Sequence, residues 1–314
     1  MAPTTSLQPS PDLAPPPVAA LPDDCLALAL PKGRIAAGVQ ELLAAAGIRV
    51  RVDARGYRPV LSEPWLAAKL LKPQNIVQML ASGSRDVGFA GADWVAELEA
   101  DVVELLDTGL DPVRVVAAAP TAVIESGRLE AGGSAPDGRP TIVATEYERL
   151  TSRWLERRGL SARVLRTWGA TEVFPPEDAD AIVDNTSTGA TLRENGLQIV
   201  DEVLRSSTRL YCNPRVLDDP LKAEAVDRLV LLLRSVLEAR ARVLLELNVP
   251  AERLDALMAA LPAMKQPTVA PLHGSSGFAV KAAVPRDALP TLIPALKACG
   301  GSDLLVSSPG QIVP

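Results

Sequence analysis

Residues 184–196 read DNTSTGATLRENG, a run of small and hydroxylated side chains that directly follows an apolar segment. Gly189 lets the backbone approach a ligand closely, and Ser187 or Thr188 can cap the short helical pattern that follows. Main-chain amides at the start of that helix and the neighbouring hydroxyls favour an anion, most simply a phosphate. Asp184 disfavours a phosphate but can accept hydrogen bonds from sugar hydroxyls. The alternative is that these residues form an ordinary Ser/Thr-capped turn that binds no ligand.

A second stretch, LALALPKGR, places two cations between a predicted strand and a predicted helix. Lys32 and Arg34 lie where the positive end of the helix dipole disfavours cations. A residue choice that opposes local stability marks a candidate functional site, and two cations around Gly33 can hold a polyphosphate. The alternative is an exposed basic turn.

Four further residues stand near predicted strand ends, and each has an ordinary structural alternative. DVGFAGADW contains Gly91 and Asp93, for which tight packing and helix capping are the simplest interpretations. Lys72 in LKPQN and Glu172 in TWGATEV are by default exposed charges. His273 is the only histidine, which excludes a metal site built from several histidines.

The composition limits the class of protein. The chain has 314 residues, 47% hydrophobic and 22% charged, enough for two or three domains with substantial cores. A net charge of −6 argues against a broad nucleic-acid-binding surface, and no apolar run reaches the roughly 18 residues of a membrane-spanning helix. Cys25, Cys212 and Cys299 are far apart, as is typical of free thiols in a reducing compartment. Residues 1–24 are proline-rich without Lys or Arg, so we expect a disordered extension, no targeting signal and a cytoplasmic protein.

Strand and helix patterns alternate from Leu26 onward, as parallel βαβ units require. The predicted elements of this part are 26–30, 35–46, 86–90, a helix from about 93, 113–119, 141–144, 148–158, 162–166 and 181–183. The pattern restarts near residue 141, which suggests two α/β lobes. After a helix at 221–239, the remaining elements follow the β-α-β-β-α-β order of a ferredoxin-like domain. They are 242–248, 252–261, 268–272, 278–283, 287–298 and 303–306.

Seven segments, in the same order, make the chain similar to the long form of ATP phosphoribosyltransferase, the first enzyme of histidine biosynthesis. The resemblance runs from about Leu26 to Val313. Its motifs are ALPKGR, DVGFAGADW, ADVVELLDTG, TIVATEYERLT, GATEV, ADAIVDNTSTGATLRENGL and LLELNVP…LPAMKQPTVAPL. Seven ordered matches are far more specific than any one of them, and they favour the ligand-binding interpretations over the structural alternatives.

The resemblance implies an α/β fold with a two-lobed catalytic unit, like that of periplasmic binding proteins, and a C-terminal ferredoxin-like (ACT-like) α+β regulatory domain. Lobe I is implied to comprise 25–117 and 207–238, lobe II 118–206, and the histidine-binding domain 239–314. The implied reaction transfers a phosphoribosyl group from 5-phosphoribosyl 1-pyrophosphate to N1 of ATP, with Mg²⁺ as cofactor. Its transition state resembles an oxocarbenium ion, so positioning and charge stabilisation suffice without a protein nucleophile.

The resemblance also implies roles for individual residues, with Lys32 and Asp184 as the catalytic pair. The loop for phosphoribosyl pyrophosphate is implied to consist of Asp184, Thr186, Ser187, Thr188, Gly189, Ala190 and Thr191. ATP and the polyphosphate groups are implied to contact Lys32, Arg34, Lys72, Gly91, Asp93 and Glu172. Mg²⁺ is expected to arrive bound to pyrophosphate oxygens, and its protein ligands stay unassigned.

Two positions depart from the family pattern. The family usually has two apolar residues after the position of Asp184, whereas this chain has Asn185 and Thr186. It commonly has serine at the position of Ala270, in the segment PTVAPL. The first departure affects the ribose side of the loop, and the second affects the implied histidine site.

The resemblance implies L-histidine as an allosteric inhibitor and a homo-oligomer, either a dimer or a hexamer, with no nucleic-acid or membrane partner. The alternatives are a two-lobed solute-binding protein, an inactive histidine-sensing paralogue and a phosphoribosyltransferase for another base. The lack of an export signal argues against the first. Intact Lys32, Arg34, Asp184 and Gly189 argue against the second, and the C-terminal domain argues against the third.

Overall fold

The computed structural model of this chain describes residue 22 and residues 25–52, 56–131, 138–274 and 276–313. The predicted N-terminal extension lies outside these residues except for Pro22. The helices are α1 (Ala36–Ala45), α2 (Pro73–Ala81), α3 (Ala92–Leu98), α4 (Thr121–Glu125), α5 (Glu148–Arg158), α6 (Ala190–Glu194), α7 (Pro220–Ala241), α8 (Leu254–Ala260) and α9 (Leu289–Ala298). The strands are β1 (Leu26–Pro31), β2 (Val50–Arg51), β3 (Val60–Leu61), β4 (Leu66–Leu71), β5 (Val87–Gly91), β6 (Val103–Pro120), β7 (Thr141–Thr145), β8 (Ala162–Arg166), β9 (Ala181–Thr186), β10 (Leu197–Cys212), β11 (Arg242–Val249), β12 (Thr268–Pro271), β13 (Phe278–Pro285) and β14 (Ser302–Ser307).

An eight-stranded sheet runs through both lobes in the order β4-β1-β5-β10-β6-β9-β7-β8. β4, β1 and β5 are mutually parallel, and so are β9, β7 and β8. The long strands β6 and β10 lie between these two sets and are antiparallel to each other and to their outer neighbours. The strands β4, β1 and β5 mark the first lobe, and β9, β7 and β8 mark the second.

The long strands are the main difference from the sequence prediction. The apolar pattern predicted only 113–119 of β6 and missed β10. The missed parts, VELLDTGL in β6 and most of β10, mix charged and apolar side chains and are largely only partly buried. They become strands because they pair with each other over their whole length, and this pairing is a tertiary contact.

Each lobe has its own apolar core. In the first lobe, α1 and α7 cover the sheet with fully buried residues such as Leu42 and Leu229. In the second lobe, Trp154 of α5 packs with Tyr147 and the inner strands. Since ligands of open α/β sheets bind at the carboxyl ends of parallel strands, the residues that follow β4, β1 and β5 and those that follow β9, β7 and β8 are candidates to face a common cleft.

The C-terminal part confirms the predicted ferredoxin-like order. Its four strands form an antiparallel sheet in the order β12-β13-β11-β14. β11 alternates partly buried and buried residues along its length, so one face of the sheet packs against α8 and α9. Among the described residues, no helix is both long and apolar enough to cross a bilayer.

Candidate active site

The loop predicted to bind phosphate connects β9 to α6. Thr186 Oγ1 accepts a hydrogen bond from the amide of Gly189 at 3.0 Å, and Thr188 Oγ1 accepts one from Ala190 at 3.3 Å. The N-cap of α6 is Gly189, whose φ is +73°, and no side chain caps this helix. The predicted N-cap position at Ser187 or Thr188 is therefore wrong, because a left-handed glycine occupies it, although the Thr188 hydroxyl still contacts the first amide of the helix.

This loop and the first lobe share one cavity of about 260 Å³, which we name the loop cavity. The first lobe contributes Arg34, which follows β1. It also contributes Val113 of β6, whereas the second lobe contributes Glu172, Asp184, Asn185, Thr186, Ser187, Thr188, Ala190, Thr191 and Leu192. Gly189 is buried and does not line the cavity, so its function is to turn the chain. The structure thus brings together most of the predicted loop and one of the two predicted cations.

Asp184 is a perturbed carboxylate within the loop cavity. Burial raises the pKa of Asp184 from 3.8 to about 6, and the neighbouring charges of Glu146 and Glu172 raise it as well. Hydrogen bonds from the Asn185 amide and the Thr171 hydroxyl oppose this shift of the pKa. Since Asp184, Glu146 and Glu172 lie close enough for their charges to interact, a cation or a developing positive charge placed near Asp184 is stabilised.

A second cavity, of about 570 Å³, lies between α2 and α3 on one side and the residues after β7 and β8 on the other. We name it the tryptophan cavity. It is lined by Lys72, Gln74, Asn75, Gln78, Trp94, Leu98, Glu146, Arg166, Thr167 and Trp168. Burial raises the pKa of Glu146, although Lys72 and Arg166 act in the opposite direction. Glu146 lines this cavity, and its charge helps to raise the pKa of Asp184, which lines the loop cavity.

Of the residues lining the tryptophan cavity, sequence reasoning singled out only Lys72. Glu146 directly follows β7, and Arg166 ends β8. Both strands were predicted, and the rule that ligand-facing groups follow parallel strands would have pointed to these residues. Trp94 and Trp168 carried no such signal, since an isolated tryptophan is by default a packing residue.

Lys32 lies just after β1 but lines neither cavity. Its Nζ is 3.5 Å from the centre of the Tyr57 ring, a cation–π contact with an exposed aromatic residue. Gly33, between the two predicted cations, has φ +78°, which explains why glycine occupies this turn.

Gly91 and Asp93 also lie outside both cavities. The N-cap of α3 is Gly91 and not Asp93, which corrects the sequence interpretation of this turn. Asp93 is 5% exposed, and its carboxylate accepts hydrogen bonds from the hydroxyls of Tyr147 and Ser206, each at 2.7 Å. A Cβ at Gly91 would lie 2.1 Å from Asp93 Oδ1, so this glycine makes room for the buried carboxylate.

Within the described residues, no group of three or more His, Cys, Asp or Glu side chains could hold a metal ion alone. Asp184 and Glu172 nevertheless share the wall of the loop cavity. Two carboxylates next to the loop predicted to bind phosphate fit a hard divalent cation whose other ligands are phosphate oxygens and water.

Comparisons with known proteins give consistent matches. A family model described as "HisG: ATP phosphoribosyltransferase" matches residues 72–235, and one described as "HisG, C-terminal domain" matches residues 239–308. The chain is 38% identical to an ATP phosphoribosyltransferase of Pelotomaculum thermopropionicum over 92% of this chain and 99% of that relative. It is 37% identical to one of Chlorobaculum parvum over 90% of this chain and 95% of that relative.

A solved structure is also similar. It is titled "ATP phosphoribosyl transferase (HisG:HisZ) complex from Thermotoga maritima", and it matches with a TM-score of 0.58 at 28% sequence identity. The match covers 68% of this chain and 98% of that chain.

Proposed function

We infer the roles of the cleft residues from one premise, that this chain belongs to the ATP phosphoribosyltransferase family. It is an enzyme that joins N1 of ATP to C1 of 5-phosphoribosyl 1-pyrophosphate, giving phosphoribosyl-ATP and pyrophosphate in the first step of histidine biosynthesis. The assignment of residues to each substrate is our proposal. One observation carries it: Arg34 of the first lobe and the 184–191 loop of the second line the same cavity.

The loop cavity binds phosphoribosyl pyrophosphate in this proposal. The loop amides and the hydroxyls of Thr186, Ser187, Thr188 and Thr191 hold the 5′-phosphate. Arg34 neutralises pyrophosphate oxygens from the opposite lobe, and Lys32 contributes a second positive charge from the same turn. Asp184 accepts hydrogen bonds from the ribose hydroxyls.

The acidic residues around Asp184 suit the chemical step. As pyrophosphate leaves C1, positive charge develops on the sugar ring, and fixed negative groups stabilise it. Asp184 does this in its ionised form, with Glu172 and Glu146 adding to the local negative potential. Positioning of the two substrates supplies the rest of the rate enhancement, since neither partner needs a protein nucleophile.

ATP occupies the tryptophan cavity in this proposal, with N1 of adenine directed toward the loop cavity past Glu146. Trp94 offers an apolar ring for a base. The side-chain amides of Gln74, Asn75 and Gln78 on α2 supply hydrogen-bond donors and acceptors. Lys72 and Arg166 lie where they can balance triphosphate charge. Gly91 and Asp93 do not contact ATP in this proposal. They fix the start of α3, the helix that carries Trp94.

Enzymes of this family use a metal ion in catalysis. We propose that the ion is Mg²⁺, bound chiefly by pyrophosphate oxygens, with Asp184 and Glu172 as the nearest protein carboxylates. When bound, it neutralises charge on the leaving pyrophosphate. The protein side chains orient the sugar and the loop holds the 5′-phosphate.

Regulation and assembly complete the proposal. Residues 25–117 and 207–238 form catalytic lobe I, residues 118–206 form lobe II, and residues 239–314 form a regulatory domain that binds L-histidine. The protein acts as a homo-oligomer, a dimer or a hexamer, in the cytoplasm.

The decisive experiment mixes the full-length protein with ATP, phosphoribosyl pyrophosphate and Mg²⁺. We expect phosphoribosyl-ATP, identified by its mass and by the altered ultraviolet absorbance of N1-substituted adenine, together with one pyrophosphate per adduct. The adduct should be absent when EDTA is present and return when excess Mg²⁺ is added. Binding of phosphoribosyl pyrophosphate without any adduct under these conditions would contradict the proposed activity.

A further inference from the structure

A chain of hydrogen bonds begins at Asp184 and leads out of the loop cavity. Asp184 Oδ1 accepts hydrogen bonds from the main-chain amide of Asn185 at 2.7 Å and from Asn185 Nδ2 at 3.3 Å. The same Nδ2 also donates to the hydroxyl of Tyr147 at 2.9 Å. The two hydrogens of one amide group therefore connect the carboxylate in the cavity to a tyrosine in the core.

The series of hydrogen bonds continues into the first lobe. Tyr147 is fully buried, and its hydroxyl donates to Asp93 Oδ2 at 2.7 Å. Burial, together with Asp93, raises the pKa of Tyr147 well above 10, so the hydroxyl keeps its proton and acts as a donor. Asp93 Oδ1 accepts from the hydroxyl of Ser206 at 2.7 Å, and that hydroxyl accepts from the Asp93 amide at 3.0 Å.

The four residues come from both lobes and from a connection between them. Asn185 and Tyr147 belong to the second lobe, and Asp93 belongs to the first, on α3. Ser206 lies on β10 at a register shift in its pairing with β6, where the strand passes from one lobe to the other. Asp93 and Ser206 are each 5% exposed, so a hydrogen bond lost within this chain is not replaced by bulk water.

We propose that Asn185 and Tyr147 are positioning residues that tie the orientation of the Asp184 carboxylate to the arrangement of the two lobes. The inference rests on the proposed function in that Asp184 acts on the phosphoribosyl group. Asn185 is central, because its one side-chain amide group donates both to Asp184 and to Tyr147. A rotation between the lobes would break the hydrogen bond between Tyr147 and Asp93, so the Tyr147 hydroxyl that the Asn185 amide contacts would lose its fixed orientation.

The stacking of Tyr147 allows the hydroxyl to be tested alone. The centre of its ring lies 4.8 Å from that of Trp94, so Tyr147→Phe keeps the ring contact and removes only the hydrogen bonds. Tyr211→Phe is the matched control, since Tyr211 is a buried tyrosine in the first lobe, 3% exposed, whose hydroxyl makes no hydrogen bond to the described residues.

The experiment compares full-length Tyr147→Phe, Asn185→Val, the double variant and Tyr211→Phe in steady-state kinetics. We expect each of the first two to lower kcat about tenfold, the effect of one unsatisfied buried group, with KM for phosphoribosyl pyrophosphate within about twofold. The double variant should have a kcat no lower than that of the poorer single variant, because both substitutions interrupt the same series of hydrogen bonds. Tyr211→Phe should keep the wild-type kcat.

The pH profile gives a readout that a purely structural role would not change. Asn185→Val removes a hydrogen bond to the ionised Asp184, which raises the pKa of this carboxyl and moves the acid limb of kcat to higher pH. The other charged groups near Asp184, namely Arg34, Glu146 and Glu172, are retained in the variant. Should Tyr147→Phe not fold, Asn185→Val and Ser206→Ala still test the two ends of the hydrogen-bond series.

Two results would overturn the inference. One is additive losses in the double variant, and the other is a lowered melting temperature with kcat and the acid limb unchanged. Asp184→Asn, measured in parallel, separates this failure from failure of the proposed function. If Asp184→Asn keeps full activity, then the role of Asp184 itself is wrong. If Asp184→Asn loses activity while Tyr147→Phe and Asn185→Val do not, only the proposed coupling between Asp184 and the lobe arrangement is wrong.

Discussion

The ammonium group of Lys32 lies 3.5 Å from the centre of the Tyr57 ring. The contact joins the turn after β1 to the segment before β3 and holds the long lysine side chain at the carboxyl end of β1. Tyr57 is 61% exposed, so the ring gains little from burial and its position is explained by the contact with the cation.

Lys32→Ala should lower kcat/KM about 10²–10³-fold, as expected when a preorganised charge is removed from a site where charge develops in the transition state. Tyr57→Leu should lower it only about two- to fivefold, because it removes an exposed cation–π contact and leaves the charge. Initial rates with each substrate varied would check both. Equal losses in the two variants would mean that the Tyr57 ring, and not the Lys32 charge, is the functional group.

Asp184→Asn should lower kcat about 10²–10³-fold at pH 8, because the amide carries no charge to stabilise the developing cation. In the wild type, kcat should fall as the pH drops through about 6, the raised pKa of Asp184. A flat profile between pH 5 and 8 would show that ionisation of this group does not limit turnover.

The same variant should change stability in a direction set by the pKa. The pKa of Asp184 is about 6 in the folded protein and 3.8 without the fold, so the folded state binds more protons between these values and loses stability as the pH rises. Asp184→Asn avoids this loss and should be more stable at pH 8 by about 1–2 kcal/mol, a figure reduced for partial solvent screening. The difference should shrink below pH 6 in thermal denaturation, whereas a constant difference would contradict the assigned pKa.

Gly189→Ala should weaken binding of phosphoribosyl pyrophosphate about tenfold, because alanine at φ +73° is strained and rearranges the loop. Its Cβ would also lie 3.2 Å from Arg193 Nη1, which donates to the carbonyl of Thr188. Gly196→Ala is the matched control, since Gly196 has φ +69° at the other end of α6 and open space around its Cβ. Calorimetry should show weaker binding for the first variant alone, although both lose similar stability.

L-Histidine should inhibit the full-length enzyme by lowering kcat at saturating substrates, since the C-terminal sheet is separate from the cleft. Typical allosteric coupling changes ligand affinity about 5- to 150-fold. Ala270 is exposed on β12 and lines a cavity on that sheet, so Ala270→Ser should strengthen inhibition about two- to tenfold through one added hydrogen bond. Activity without histidine should stay unchanged, and a wild type insensitive to millimolar histidine would mean that the domain is present without the switch.

The local patterns of the sequence were sufficient for most of the elements that carry the site. β1, β9 and α5 were predicted within a few residues because their apolar periodicity, small-residue turns and stop signals such as Gly159 act over short distances. The ferredoxin-like order followed from the same local signals. The glycine of the 184–196 loop and the cations after β1 were found because their residue types conflict with, or are specialised for, the local backbone.

The sequence therefore determined many of the strands and helices and which short loops could hold anions. Only the tertiary structure decided what lies opposite those loops. β10 and the first half of β6 exist through their mutual pairing, and Glu146, Trp94 and Trp168 reach the cleft through the packing of two lobes that are distant in sequence. The buried contacts of Asp93 with Tyr147 and Ser206 have the same cause, because hydrogen bonds between residues 54 and 113 positions apart leave no local pattern in the chain.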